Sequence, residues 1–211
     1  MRVAVPKEIC PGESRVALVP QLVPALLKSG HEVLVQAEAG LAAGYEDTAY
    51  AQQGARIVAG RDALFADAEA IFMVRGPGAN PATGSADLDL LREDQALIAF
   101  LNPLMAQAEA RQLAAKGVTA FSLELIPRIS RAQSMDALSS MASLAGYKGV
   151  LEAANHLPKI FPLMMTAAGS LTPARVFVIG AGVTGLQACA TAKRMGAPVT
   201  AYDLSLGVKG Q

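Results

Sequence analysis

The chain has 211 residues with 18 basic and 18 acidic side chains, so its formal net charge is zero. A neutral protein lacks the surplus of Lys and Arg that binds phosphate backbones or anionic membrane surfaces, which argues against a nucleic-acid or membrane-surface partner. Hydrophobic residues make up 52% of the chain and charged residues 17%, an apolar bias that raises the question of a membrane span.

The most apolar stretch, residues 160–183, does not have the pattern of a membrane span. Pro162 and Pro173 interrupt it and Arg175 lies within it, so it contains no clean run of 18 or more apolar residues. The first twenty residues carry Lys, Glu and Arg where a signal peptide has its apolar core. Cys10 and Cys189 provide neither a disulfide framework nor metal-ligand spacing. These features predict a cytoplasmic protein without a metal site.

Short apolar runs alternate with helical patterns through the first 125 residues, which is typical of βαβ units and a parallel sheet. The predicted strands are residues 2–5, 32–36, 56–58, 70–74, 96–100 and 118–122. The predicted helices are residues 21–29, 47–53, 62–66, 87–91 and 106–116. We therefore expect an α/β domain over residues 1–130 with a flavodoxin-like parallel sheet.

The rest of the chain is predicted to contain a loop, a long helix and the start of a second domain. Residues 76–87 (GPGANPATGSAD) predict a mobile, solvated connection, with a functional lid as the less favoured alternative. Residues 131–157 predict a helix that links two domains and ends before Pro158. Residues 158–211 predict the first βαβ of an incomplete Rossmann domain, with strands at 175–179 and 198–203 and a helix at 186–195.

A glycine-rich hexamer follows the predicted strand at 175–179. It reads G-x-G-x-x-G and comprises Gly180, Ala181, Gly182, Val183, Thr184 and Gly185. In the dinucleotide fingerprint the first glycine permits a tight turn, the second admits the diphosphate and the third packs helix on strand. Asp203 follows about 20 residues later, where the fingerprint places the carboxylate that binds the adenosine ribose. Because a carboxylate repels a 2′-phosphate, the pattern predicts NAD(H) rather than NADP(H); a glycine-rich turn with a solvated Asp is the alternative.

Two arginines follow predicted strands, at the sheet edge where parallel α/β proteins bind ligands. Arg15 lies in the loop after the first strand and Arg75 directly follows the fourth. Arg15 either clamps an anionic ligand through its planar guanidinium or pairs with Glu8 or Glu13. The sequence leaves both interpretations open.

Residues 127–140 (PRISRAQSMDALSS) concentrate polar side chains at the N-terminus of the predicted long helix. Arg128, Gln133 and Asp136 are compatible with a converging group, in which Asp136 anchors Arg128 and donors face a carboxamide or phosphate. The alternative is a solvated helix start with Ser130 or Ser134 as its N-cap.

Four stretches together resemble one known family. They are KEICPGESRVALVP near the start, FLNPL at 100–104, the PRISRAQSMDALSS…AGYKGV block and VIGAGVTGLQA. The chain resembles the NAD(H)-binding subunit of proton-translocating nicotinamide nucleotide transhydrogenase, which is homologous to alanine dehydrogenase. The resemblance covers residues 1–203, and the tail LSLGVKGQ does not look like the family's continuation. We therefore expect a natural truncation, a frameshifted reading frame or an expression fragment, which alone binds NADH weakly at best and sustains no hydride transfer.

The resemblance implies a set of cofactor-binding residues. The nicotinamide end of NAD(H) would contact Arg128, Ile129, Ser130, Gln133, Asp136 and Ser139. The adenylate half would contact Gly180, Ala181, Gly182, Val183, Gly185 and Asp203. No side chain serves as acid or base in the family's hydride transfer, because the two nicotinamide rings need only near-attack geometry.

The resemblance also implies partners. NADP(H) would be held by a partner subunit, and a membrane subunit would couple transfer to proton translocation, so that the chain lies peripheral to the inner membrane. The intact family subunit is a dimer.

The sequence departs from alanine dehydrogenase where that enzyme has its catalytic lysine and histidine. Arg75 and Asn102 stand at those two strand ends, and His31 and His156 lie elsewhere. Arginine does not deprotonate in proteins and so provides no base. An alanine dehydrogenase-like oxidoreductase and an inactive dinucleotide-binding remnant are therefore the less favoured alternatives.

Overall fold

The computed structural model describes residues 1–205 and residue 207. It divides into two compact units, Met1–Ala132 and Gln133–Gln211. Among these described residues, two buried apolar clusters lie in the first unit and another lies in the second. Residues 206 and 208–211, the end of the predicted second domain and of the tail LSLGVKGQ, lie outside the described residues.

The first unit is built on a six-stranded parallel sheet. Its strands are β1 (Arg2–Val5), β2 (Glu32–Gln36), β3 (Arg56–Val58), β4 (Ala70–Arg75), β5 (Ala96–Phe100) and β6 (Thr119–Ser122). The strand order is β3-β2-β1-β4-β5-β6. Without the short edge strand β3, the remaining five strands follow the flavodoxin-like order 2-1-3-4-5. The predicted α/β fold with a parallel sheet is confirmed.

Helices cover both faces of this sheet. They are α1 (Val23–Lys28), α2 (Asp47–Gln52), α3 (Arg61–Asp67), α4 (Gly84–Leu90) and α5 (Gln107–Ala115). Successive strand residues point to opposite faces: Ala4 and Leu34 lie in one buried cluster, whereas Val5 and Val35 lie in the other. Burial on both faces explains why residues 3–5 of β1 and 33–35 of β2 are continuously apolar rather than alternating.

The prediction of a mobile loop over residues 76–87 is wrong. Residues Pro77–Ala79 form a 3-10 turn, and α4 begins at Gly84. Asn80 is buried and its side chain bonds Thr83, whose hydroxyl donates to the Ile9 carbonyl at 3.1 Å. Asp87 is fully buried and accepts a hydrogen bond from the Arg61 Nε at 2.7 Å. Tertiary hydrogen bonds therefore order a segment whose composition favours a loop.

The second unit contains a long helix, a hairpin and one βαβ. Its elements are α6 (Ala137–His156), β7 (Met164–Thr166), β8 (Gly169–Leu171), β9 (Val176–Ile179), α7 (Val183–Arg194) and β10 (Val199–Tyr202). The sequence pattern does not predict the antiparallel pair β7–β8. Strands β9 and β10 are parallel, with Val176 opposite Val199. This is the βαβ that the sequence predicts.

The long helix begins six residues later than predicted. Residues Ser130–Met135 form a 3-10 segment, and α6 starts at Ala137 after the N-cap residue Asp136. Helix α6 lies wholly within the second unit. In the part of the chain that the structure describes, no helix is both long enough and apolar enough to cross a membrane.

Candidate functional site

The glycine-rich hexamer forms a tight turn between β9 and α7. Gly180 has a φ of 91°, a left-handed conformation that favours glycine, and its N–H donates to the Tyr202 carbonyl at 2.8 Å. A Cβ at Gly185 would lie 1.7 Å from the Gly180 oxygen. The first and third glycines are thus required by the turn and by the close approach of helix to strand.

The second glycine has a different environment. Gly182 is the N-cap residue of α7, with an extended backbone and no side-chain cap hydrogen bond. A Cβ added at Gly182 would have no neighbour within 4 Å, so the fold itself does not demand a glycine there. The open space lies at the N-terminus of a twelve-residue helix, where free N–H groups and the helix dipole favour an anion such as a diphosphate.

Asp203 follows β10 and reaches back to the same turn. Its Oδ2 accepts a hydrogen bond from the Ala181 N–H at 2.6 Å, and its Oδ1 accepts one from the Ser205 N–H at 2.7 Å. The backbone N–H groups of Ser205 and Ala181 lower the pKa of Asp203. The carboxylate is therefore ionised at neutral pH and lies at the edge of the glycine-rich turn, as the fingerprint requires.

The N-terminus of α6 carries two of the predicted site residues, Asp136 and Ser139. Asp136 accepts hydrogen bonds from the Ser139 N–H at 2.9 Å and from the Ser139 Oγ at 2.6 Å. Asp136 is therefore the N-cap, and the alternative caps Ser130 and Ser134 are wrong. An aspartate at this position satisfies a free N–H and matches the helix dipole.

The remaining predicted residues of this segment are exposed. Arg128, Ile129 and Ser130 belong to the first unit, whereas Gln133 belongs to the second. The Ile129 side chain is 55% exposed although apolar. Their role in binding the nicotinamide end, including an Arg128–Asp136 contact, stays a prediction.

The loop after β1 contains a compact ion cluster. Glu13, whose side chain is 5% exposed, accepts hydrogen bonds from Arg15 Nε at 2.7 Å and Arg15 Nη2 at 2.6 Å, and from Arg75 Nε at 2.9 Å. The Arg15 guanidinium holds the pKa of Glu13 at about 2. Glu8 accepts from the Val74 N–H at 2.6 Å, and burial raises its pKa. The structure therefore supports the interpretation in which Arg15 pairs with Glu13.

Asn102 follows β5 in a left-handed conformation with a φ of 50°. The Glu124 carboxylate accepts hydrogen bonds from the backbone N–H groups of Leu101 and Asn102 and from the Ser122 hydroxyl. The backbone at this strand end is thereby fixed without any titrating group on residue 102.

Sequence reasoning missed Gly146, which lies in the middle of α6. It is buried, and a Cβ there would lie 2.2 Å from the Thr184 oxygen in the first turn of α7. The AGYKGV stretch contains both Gly146 and Gly149, and sequence alone does not separate them.

Models of the alanine dehydrogenase/PNT family match this chain almost throughout. The N-terminal domain model matches residues 4–145 and the C-terminal domain model matches residues 149–211. The second match reaches residue 211, so the expectation that the tail LSLGVKGQ departs from the family is wrong.

Individual relatives come from both branches of the family. An NAD(P) transhydrogenase alpha-subunit polypeptide of Rhodospirillum rubrum is 43% identical over 211 residues, which is 100% of this chain and 55% of the relative. Alanine dehydrogenase of Halomonas elongata is 34% identical over 209 residues, 98% of this chain and 54% of that protein. The chain spans about half the length of the curated relatives it matches.

Solved structures give the same grouping. A transhydrogenase from Sinorhizobium meliloti superposes with a TM-score of 0.92 at 42% identity, covering 100% of this chain and 58% of that one. An L-alanine dehydrogenase superposes with a TM-score of 0.84 at 29% identity, covering 100% of this chain and 56% of that one.

Proposed function

Because this chain belongs to the alanine dehydrogenase/PNT family, we propose that it is the NAD(H)-binding part of a proton-translocating NAD(P)⁺ transhydrogenase. The observation that carries the proposal is the glycine-rich turn before α7, which is open at Gly182 and has the ionised Asp203 at its edge. The greater identity to the transhydrogenase relative, 43% against 34%, favours this branch.

Two groups of residues hold the dinucleotide. The adenylate half and diphosphate contact the turn and Asp203, through Gly180, Ala181, Gly182, Val183, Gly185 and Asp203. The nicotinamide end contacts Arg128, Ile129, Ser130, Gln133, Asp136 and Ser139. Asp203 retains free lone pairs for the ribose hydroxyls, because each carboxylate oxygen accepts more than one hydrogen bond and the N–H groups of Ala181 and Ser205 use one on each.

The chain's residues act by positioning rather than by proton transfer. When bound, NADH supplies the hydride that passes to NADP⁺ on a partner subunit. The contribution of this chain is to hold the nicotinamide end in near-attack geometry. In this proposal the chain is cytoplasmic, forms a homodimer and lies at the inner membrane through an NADP(H)-binding subunit and a membrane subunit that translocates protons.

An alanine dehydrogenase-like oxidoreductase is the second candidate, since alanine dehydrogenases are among the relatives of this chain. Oxidation of an amino acid requires a proton acceptor next to the substrate. Arg75 cannot serve as a base, and its Nε donates to Glu13. Asn102 does not titrate. These two side chains favour the transhydrogenase.

The test is an NADH fluorescence titration of the wild-type chain and of Gly182→Ala. The variant should fold normally, because its methyl group meets no atom within 4 Å, yet weaken NADH binding at least tenfold, because the methyl occupies the diphosphate's approach. Gly149→Ala, in a helix with equally open space, is the matched control and should bind like the wild type. Equal NADH affinity in all three proteins contradicts the proposal, and so does the absence of NADH binding by the wild type.

A further inference from the structure

Helices α6 and α7 of the second unit pack backbone against backbone at Gly146. An ideal Cβ on Gly146 would lie 2.2 Å from the Thr184 oxygen, 3.1 Å from the Thr184 carbonyl carbon and 3.2 Å from the Ala188 nitrogen. All three are backbone atoms of α7, so no side chain can rotate away to make room. The absence of a side chain at residue 146 therefore determines how closely the two helix backbones approach.

The atoms that Gly146 touches belong to the first two turns of α7. Thr184 is the second residue of that helix, directly after Val183 and two residues after the N-cap Gly182. A shift of Thr184 therefore also shifts the N–H groups that face the proposed diphosphate position. Val150 and Ala154, one and two turns further along α6, extend the same packing into the buried cluster with Ala188 and Ala192.

The same helix α6 carries Asp136 and Ser139 at its N-terminus. The helix is continuous from Ala137 to His156, and Gly146 follows Ser139 by seven positions, which corresponds to about 10 Å along the axis. Ser139 is held to Asp136 through its N–H and its hydroxyl. One rigid element thus joins the proposed nicotinamide subsite to the position of α7.

We propose that Gly146 is a positioning residue that sets the spacing between the two helices holding opposite ends of the dinucleotide. This inference rests on the proposed NAD(H) site. A methyl group at residue 146 forces α6 and α7 apart by about 1 Å, and displacements of that size in a binding site are enough to cost about a hundredfold in rate. The added methyl should therefore weaken binding of a ligand that contacts both helices more than binding of a ligand that contacts α7 alone.

The experiment compares NADH, which bridges the two helices, with ADP, which contains only the adenylate and diphosphate. Dissociation constants are measured for the wild-type chain, Gly146→Ala and Gly149→Ala. Gly149 lies in the same helix, and its added Cβ meets no atom within 4 Å. We expect Gly146→Ala to weaken NADH binding at least tenfold and ADP binding less than threefold. Gly149→Ala should change neither dissociation constant. An equal loss for both ligands, or no loss, overturns the inference while leaving the proposed NAD(H) site intact.

Amide hydrogen exchange of the wild-type chain covers the case in which Gly146→Ala does not fold. NADH should slow exchange in the first turns of both α6 and α7, and ADP should slow it in α7 only. Protection by NADH confined to α7 overturns the inference. A wild-type chain that binds ADP but shows no NADH binding overturns both the proposed function and the inference.

Discussion

At the scale of single residues, Asp203 combines two tasks in one carboxylate. It accepts backbone hydrogen bonds from Ala181 and Ser205, which fix the glycine-rich turn against the end of β10. Its remaining lone pairs are available to a ligand, and its negative charge disfavours a 2′-phosphate. Both tasks depend on ionisation, and the lowered pKa of Asp203 ensures it at neutral pH.

The Asp203→Asn variant tests both roles of the carboxylate, and a control variant with the same change of net charge shows whether charge alone explains the effect. An amide keeps one oxygen acceptor but loses the charge and one charge-assisted hydrogen bond, worth about 1.5 kcal/mol. We expect NADH affinity to fall about tenfold and NADPH affinity to rise, as measured by fluorescence titration. Asp94→Asn is the matched control, since Asp94 lies in the first unit in a left-handed conformation that asparagine tolerates. Unchanged preference between the two cofactors would contradict a role for the carboxylate in selectivity.

Glu13 predicts a pH dependence of stability. Its pKa in the folded chain is about 2, below the ordinary value of 4.5, because the Arg15 guanidinium hydrogen-bonds the carboxylate. A lowered pKa means that the stabilisation is fully present above pH 4.5 and is lost as the pH falls towards 2. Glu13→Gln leaves Arg15 and Arg75 without their charge partner, so it should cost about 1–2 kcal/mol at neutral pH.

Urea denaturation of the wild type and Glu13→Gln across this range checks the Glu13 prediction. The difference in unfolding free energy should shrink as the pH falls from 4.5 towards 2. A difference that stays constant with pH would show that the carboxylate does not stabilise the fold through its charge.

At the scale of secondary-structure elements, α6 is set by its cap rather than by its helical pattern. The residues before it suit a helix by composition, yet Ser130–Met135 forms a 3-10 segment and the α-helix starts only where Asp136 accepts the Ser139 N–H. We expect Asp136→Ala to lower the free energy of unfolding by about 1 kcal/mol and Asp136→Asn to lower it less, because asparagine also caps helices.

The control for the cap is Ser143→Ala. The Ser143 hydroxyl bonds the Ser139 carbonyl at 3.3 Å within the helix, and replacing a serine by alanine inside a helix costs little or nothing. Chemical denaturation followed by circular dichroism measures all three variants. An Asp136→Ala variant as stable as Ser143→Ala would contradict the capping role.

The elements that the sequence predicts well are those with local signals. Strands β1, β2, β3 and β5 have the predicted bounds because each contains a short apolar run, and in β1 and β2 that run is buried. The composition favours a loop over the first half of α4, although a helix is predicted from residue 87. The order of this segment comes from distant partners, since Arg61 bonds Asp87 and the Ile9 carbonyl accepts from Thr83. Composition carries no trace of such long-range hydrogen bonds.

The residues of the candidate site also differ in whether local sequence or long-range contacts determine them. The glycine-rich turn and Asp203 can be predicted from the sequence because their spacing is a local pattern, in which Gly180 has a left-handed backbone and Gly185 lies against the Gly180 oxygen. The need for glycine at residue 146 cannot be predicted from the sequence, since it comes from the backbone of α7, about forty residues away in the chain. The pairing of Arg15 with Glu13 instead of a ligand is likewise a tertiary fact, which the sequence leaves as one of two alternatives.

At the scale of the whole molecule, the two family activities differ in what they require of the first unit's sheet edge. The alternative of an alanine dehydrogenase implies an amino-acid carboxylate near the strand ends of Arg75 and Asn102, whereas the proposed transhydrogenase function implies no substrate beyond the dinucleotides. In this chain the two guanidinium groups at that edge, Arg15 and Arg75, both donate to Glu13, whose side chain is almost fully buried. Their charge is partly neutralised, and the Nε of each guanidinium is engaged by Glu13, which leaves this edge less suited to binding an organic acid.

We therefore expect the wild-type chain to bind neither pyruvate nor L-alanine and to form no NADH from L-alanine and NAD⁺ at alkaline pH. Thermal unfolding with and without each compound measures binding, and absorbance of NADH measures turnover. Glu13→Gln releases both guanidinium groups, so pyruvate should raise the melting temperature of this variant but not that of the wild type. Asp94→Asn, which changes charge in the same unit away from these arginines, should behave like the wild type. Stabilisation of the wild type by pyruvate, together with NADH formation from L-alanine, would instead place the chain with the amino-acid dehydrogenases.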